Sequence, residues 1–174
     1  MKNKFFFIII VLFFFFFIVL FKGLKNPNVY IPELQKEKNL SRFEASDFYS
    51  NTKTSSLDIL NDNNFYLINI WASWCLPCRE EHDYLIKLKE QNLIKLIGIN
   101  YKDNFKNAKK FLNEMGNPYS KILKDKNGTV SIQLGAYGVP ETFIIDKNKK
   151  IIKKIIGPID KKIYNEILLI IKWK

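Results

Sequence analysis

The stretch from Trp71 to His82, WASWCLPCREEH, constrains what this chain can fold into more than any other. It holds the only two cysteines, Cys75 and Cys78, spaced Cys-x-x-Cys. Just before it, the mostly apolar run Phe65 to Trp71 reads as a buried strand. Just after it, Tyr84, Leu85 and Leu88 fall on one face of a helix predicted over Arg79 to Gln91. The pair therefore sits where a strand hands over to a helix.

That placement carries chemistry. Cys75 is expected at or just before the first helical turn, where unpaired backbone N–H groups and the helix dipole favour an anion. A thiolate there has a lowered pKa and attacks disulfides. Cys78 follows about one turn later, close enough to close a disulfide with Cys75. Pro77 is tolerated in the first turn, where its missing N–H has no helical partner. The expected cycle is attack by Cys75, a mixed disulfide, and resolution by Cys78. A structural disulfide is an alternative, although so short a loop staples little chain. Zinc normally takes four ligands, and two cysteines with His82 fall short. Haem attachment needs Cys-x-x-Cys-His, whereas Arg79 follows Cys78.

The N-terminus adds a second constraint. Residues 5–21 are 17 consecutive apolar residues. At 1.5 Å per residue the run is roughly 25 Å long, near the short end for a membrane span. Lys2, Lys4, Lys22 and Lys25 flank it and can snorkel. A cleaved signal peptide is the rival reading, but no small-x-small cleavage site follows. The expected layout is a membrane anchor over 1–24, a polar stalk over 25–41 with Pro27 and Pro32, and one domain over 42–174. The lysine surplus, net charge +11, reads as a solvated face, with attraction to an anionic membrane as the alternative. No phosphate loop or aromatic-interleaved basic motif points to nucleic acid.

Along the domain, Arg42 to Phe48 is expected to open with a short strand and residues 50–56 to form a loop. Leu57, Ile59 and Leu60 are expected to reach the core. Leu93 to Asn100 reads as a strand reached by a parallel crossover. Phe105 to Met115 reads as a helix stopped by Gly116. Ile122 and Leu123 suggest a short strand, and Thr129 to Leu134 a short helix. Thr142 to Asp146 and Lys150 to Ile156 form a hairpin. Asp160 caps a last helix with Ile163, Tyr164, Ile167, Leu168 and Ile171 on one face. The order implies α/β architecture with a mixed sheet. Pro140, directly before a strand, is a candidate for a cis peptide bond, with an ordinary turn as the alternative.

Trp-Cys-x-x-Cys at a strand-to-helix junction, then Val-Pro before a hairpin, resembles the thioredoxin superfamily. WASWCLPCREEH, GINYKD (98–103), GNPY (116–119) and YGVPETFIID (137–146) together resemble the DsbE/CcmG family, membrane-anchored thiol:disulfide oxidoreductases of cytochrome c maturation. The resemblance implies a thioredoxin fold with an insertion after the active-site βαβ unit. Cys75 matches the attacking and Cys78 the resolving cysteine. Trp74 and Pro77 frame the pair, Pro140 matches the facing cis-proline, and Val139 offers backbone to an extended substrate. Asn69 stands where general thioredoxins carry a buried aspartate and cannot accept a proton. Glu141 is expected near the cysteines, where a carboxylate raises the Cys75 pKa, or else it is a solvated turn residue. Glu81 can approach from the helix. His82 is expected to pack rather than shuttle protons.

The resemblance further implies reduction of apocytochrome c Cys-x-x-Cys-His segments, directly or through a haem-ligation thiol protein. It implies electrons from a DsbD/CcdA-type membrane donor, and no cofactor beyond the Cys75–Cys78 redox couple. The expected location is the inner (cytoplasmic) membrane, single-pass, with the catalytic domain on the periplasmic side. A general anchored thiol reductase or oxidase, a peroxidase and a non-catalytic apocytochrome-binding module remain alternatives.

Overall fold

The computed structural model describes residues 2–25 and 38–173. Residues 1–33 and 34–174 form two separate compact units. The first contains helix α1 (Lys2–Lys25). Its described apolar side chains from Phe6 to Phe21 are exposed. Among the described residues, no helix is long and apolar enough to cross a membrane. Most of the expected stalk, 26–37, lies outside the described residues.

The second unit is built on a central strand that is apolar nearly throughout. Its elements are β1 (Lys38–Asn39), β2 (Glu44–Asp47), β3 (Lys53–Ser55), α2 (Ser56–Ile59), β4 (Phe65–Trp71), α3 (Leu76–Glu90), β5 (Ile94–Tyr101), α4 (Phe105–Met115), β6 (Lys121–Asp125), α5 (Thr129–Leu134), β7 (Glu141–Ile145), β8 (Lys150–Ile156) and α6 (Lys161–Trp173). The strands form one sheet in the order β1-β8-β7-β4-β5-β6-β2-β3. β4, β5 and β6 run parallel, and the remaining neighbours are antiparallel. Every residue of β4 is buried, as a strand covered on both faces requires. The segment between the β4–α3–β5 unit and the β7–β8 hairpin carries α4, β6 and α5.

Alternation along β4 separates two cores. Leu67 and Trp71 point to the face packed by Leu85 and Leu88 of α3, Phe111 of α4, and Ile167 and Ile171 of α6. Tyr66, Ile68 and Ile70 point to the other, with Val130 and Leu134 of α5 and Phe143 of β7. Asp160 Oδ1 accepts from the Ile163 N–H and caps α6 as expected.

Three expectations change. Residues 53–55 are a strand, not loop, because β2 supplies a pairing edge to a polar segment with no apolar alternation of its own. Leu57 is 61 % exposed, since the capping box of Ser55 and Asp58 turns it outward while Leu60 is buried. The sheet also takes in Lys38 and Asn39, which pair with β8 although they belong to the expected stalk.

Candidate active site

β4 ends at Trp71 and α3 begins at Leu76, so the turn 72–75 delivers Cys75 to the helix N-cap position. Cys75 adopts φ −88° and ψ 111°, extended backbone, and its Sγ accepts the Cys78 N–H at 3.1 Å. A sulfur thus satisfies an unpaired donor at the helix start, the environment that stabilises a thiolate. Pro77 sits in the first turn. Cys75 and Cys78 are joined by a disulfide. Both are buried, while Trp74 and Leu76 beside them are 59 % and 67 % exposed and form an apolar rim.

The turn is held from the β5–α4 connection. The Asp103 carboxylate accepts from Ser73 N–H (2.6 Å), Ser73 Oγ (2.8 Å), Asn100 Nδ2 (3.0 Å) and Asn104 N–H (2.7 Å). Trp74 Nε1 donates to the Lys102 carbonyl at 3.2 Å. Arg79 donates to the Ser73 carbonyl and lies 4.8 Å over the Phe111 ring. Asp103 lies within GINYKD, but Ser73 is 30 residues away in sequence and no local pattern announces that pairing.

Beneath the pair lies a buried polar network. Asn69 Nδ2 donates to Glu81 Oε1 (2.9 Å) and Thr142 Oγ1 (3.0 Å), and its Oδ1 accepts from the Tyr119 hydroxyl (2.7 Å). The second Glu81 oxygen accepts the Ile159 N–H at 2.9 Å. Burial raises Glu81 to a pKa of about 7, against the opposing pull of the Ile159 and Asn69 hydrogen bonds. Glu81 lies one turn after Cys78 on the same side of α3. A group able to take and return a proton near neutrality is therefore present, on the helix rather than at strand position 69. Burial also holds Tyr119 well above its usual pKa, with the Glu81 charge adding to it.

Glu141 is buried rather than a solvated turn residue. On β7 it pairs with Ile70, and it shares parity with Phe143 and Ile145 on the face opposite α3. Its Oε1 accepts the Tyr137 and Gly138 N–H groups at 2.7 and 2.9 Å, and its Oε2 lies 2.7 Å from Lys154 Nζ. It is not a solvated turn carboxylate, and its partners are the Tyr137 and Gly138 amides and Lys154. The Val139–Pro140 peptide bond is cis. Val139 is half-buried against both cores, and Tyr137 is 78 % exposed. His82 is buried, bonded through Nε2 to the Gly116 carbonyl at 2.9 Å and set edge-on to Phe111, a packing role. Burial lowers its pKa. Among the described residues no cluster of three or more His, Cys, Asp or Glu could hold a metal ion.

A strand-delivered Cys-x-x-Cys at a helix N-terminus, in a mixed sheet whose β7 follows a cis-proline, defines a thioredoxin-fold dithiol–disulfide exchange site, the machinery of a thiol:disulfide oxidoreductase. Comparison with known proteins narrows this. The Redoxin family model matches residues 30–168. The thiol:disulfide interchange protein DsbE of Allochromatium vinosum is 36 % identical over 148 residues, covering 85 % of this chain and 81 % of the relative. DsbE of Pseudomonas aeruginosa is 47 % identical over 102 residues, 59 % of this chain and 56 % of that protein. CycY of Rhizobium leguminosarum is 46 % identical over 92 residues, 53 % of this chain and 50 % of that protein. A secreted thiol-disulfide isomerase from Corynebacterium glutamicum superposes with TM-score 0.68 at 20 % identity, over 86 % of this chain and 99 % of that one, a likeness of fold alone. The chain belongs to the redoxin family and, within it, to the DsbE/CcmG-type thiol:disulfide interchange proteins.

Proposed function

We propose that this protein is a membrane-anchored thiol:disulfide reductase that keeps apocytochrome c Cys-x-x-Cys-His segments reduced for haem attachment, directly or through a haem-ligation thiol protein. The observation that carries the exchange reading is the Cys75–Cys78 pair at the α3 N-terminus, with Cys75 Sγ accepting the Cys78 N–H and the buried Glu81 one turn after Cys78. The kinship with DsbE and CycY carries the pathway.

The Cys75 thiolate attacks one sulfur of a substrate disulfide. The substrate S–S bond breaks, the released sulfur takes a proton, and Cys75 is left in a mixed disulfide. Cys78 then gives its thiol proton to the Glu81 carboxylate and attacks Cys75 Sγ. The second substrate thiol leaves, and the Cys75–Cys78 disulfide remains. Two electrons have passed to the substrate, and a membrane thiol carrier of the DsbD/CcdA type restores them. Pro140 faces the pair, Val139 offers backbone to the extended substrate segment, and Trp74 and Leu76 supply an apolar rim. Nothing beyond the two cysteines serves as cofactor.

The anchor reading rests on the apolar run 5–21 in α1 and on the exposure of Phe6 to Phe21. The proposed location is the cytoplasmic membrane, with the domain on its periplasmic side.

Equilibration with a dithiol buffer tests the direction of exchange. The reductase reading expects a potential nearer thioredoxin, about −270 mV, than the oxidant DsbA, about −120 mV. A value at the DsbA end would make this protein an oxidase.

A further inference from the structure

Lys154 has no place in the exchange chemistry, yet it is almost completely buried. The side chains of Lys154 and Glu141 are 9 % and 3 % exposed. A buried lysine needs a compensating partner, because its charge has lost water. Here the ammonium has several. It lies 2.7 Å from Glu141 Oε2 and donates to the Gly135 carbonyl at 2.7 Å. It also sits 4.8 Å from the centre of the Tyr137 ring and 5.6 Å from that of Phe143, its β7 register partner.

Gly135, Tyr137 and Glu141 bear on one loop. Gly135 opens the loop that ends at the cis Val139–Pro140 bond, and Tyr137 and Gly138 lie in its middle. Glu141, which Lys154 neutralises, receives the Tyr137 and Gly138 N–H groups on its other oxygen. One ammonium thus grips the loop at its start through a carbonyl, at its centre through a ring, and again through the carboxylate. At the far end the Gly157 N–H donates to the Pro140 carbonyl at 3.0 Å, fixing the proline to the end of β8. Hydrogen bonds to an ionised acceptor are roughly twice as strong as neutral ones, so the Lys154–Glu141 pairing sets how firmly the loop is held.

We propose that Lys154 is a positioning residue for peptide disulfides: through Glu141 and Gly135 it holds the 135–139 loop so that Val139 presents its backbone to a substrate segment. It acts on substrate binding and leaves the reactivity of Cys75 alone. This rests on the strand-addition role proposed above for Val139.

The test uses the reduced full-length protein in detergent micelles, under single-turnover conditions. The probes are an extended peptide carrying one Cys-x-x-Cys disulfide and, in parallel, hydroxyethyl disulfide, which is too small to engage the loop. Lys154→Met is expected to raise the half-saturation concentration for the peptide about tenfold, as a misplaced binding loop does, and to leave the plateau rate and the hydroxyethyl disulfide rate within about twofold. Amide exchange at Tyr137 and Gly138 accelerates, and Lys154→Arg restores both readouts. The Lys154→Met/Glu141→Gln double variant leaves no unpaired buried charge and so keeps the fold if the single variant does not; it shifts both readouts in the same direction. The proposal is overturned if amide protection in the folded double variant equals wild type, because Lys154 then holds nothing. It is overturned equally if peptide and small-disulfide rates fall together. Lost protection with unchanged half-saturation would show a loop held by Lys154 that does not meet substrate, and the Val139 role would fall with it.

Discussion

Glu81 concentrates the chemistry of this site into one titration. Its carboxyl is held to about 7 in the folded protein against an ordinary 4.5, so between those values the folded state keeps a proton that the unfolded chain has lost. Stability attributable to Glu81 is therefore unimpaired below pH ~4.5, declines as pH rises through the window, and levels off above pH ~7, a total of about 3 kcal/mol. Glu81→Gln removes this slope. The Asn69 amide can turn over to accept from the new amide, because the Tyr119 and Thr142 hydroxyls can each donate or accept. Urea unfolding of oxidised wild type and variant at pH 4.5 and pH 8 checks it: the stability difference should change by about that amount in favour of the variant at pH 8. Gly98 gives a purely steric counterpart. A Cβ there would lie 2.8 Å from Trp71 Nε1 and 2.9 Å from the Tyr119 ring. Gly98→Ala is expected to cost about 1–3 kcal/mol in the same assay through overpacking. Neither effect was legible beforehand, because both depend on which strands become neighbours.

At the scale of elements, the active-site turn is rigid because a second turn grips it. Asp103→Ala removes the acceptor of four hydrogen bonds and leaves the Ser73 and Asn104 N–H groups to find water. The expected cost is about 1–3 kcal/mol, read by chemical denaturation, with faster alkylation of reduced Cys75 as the turn loosens. Elements set by local pattern were legible in the sequence. β4, α4, α5 and β8 fall on their expected residues, because an apolar run after the Asn61–Asn64 turn marks β4 and Gly or Gly-Pro punctuation marks the ends of the other three. α3 begins at Leu76 rather than Arg79, since its first turn is capped by Cys75 and carries no apolar period. β3 was hidden because its strand character comes from β2. Cys75, Cys78 and Pro140 were readable from a motif, and Asn69 from its offset to Cys75. The burial of Glu141 was not legible, because strand parity decides which face of the sheet it joins and Lys154 reaches it only once β8 pairs with β7. Lys154 looked like one lysine of a solvated run until β8 paired with β7.

In the full chain an apolar N-terminal helix precedes a redox domain that is compact in itself. Two consequences follow. A chain beginning at Lys38 is expected to fold and exchange disulfides at the full-length rate in solution, because the described core lies wholly after that residue. The full-length chain is expected to sediment with membranes and to resist carbonate extraction; release by carbonate would remove the anchor. The proposed action of Cys75 is on haem-attachment disulfides outside the cytoplasm. It is tested most directly by expressing Cys78→Ala in cells, which leaves the mixed disulfide on Cys75 unresolved, and by identifying what is covalently captured. Apocytochromes c or haem-ligation thiol proteins are the expected captures, together with a membrane thiol carrier, and none of these with Cys75→Ala added. Capture of a broad range of exported proteins with no cytochrome-maturation component among them would contradict it.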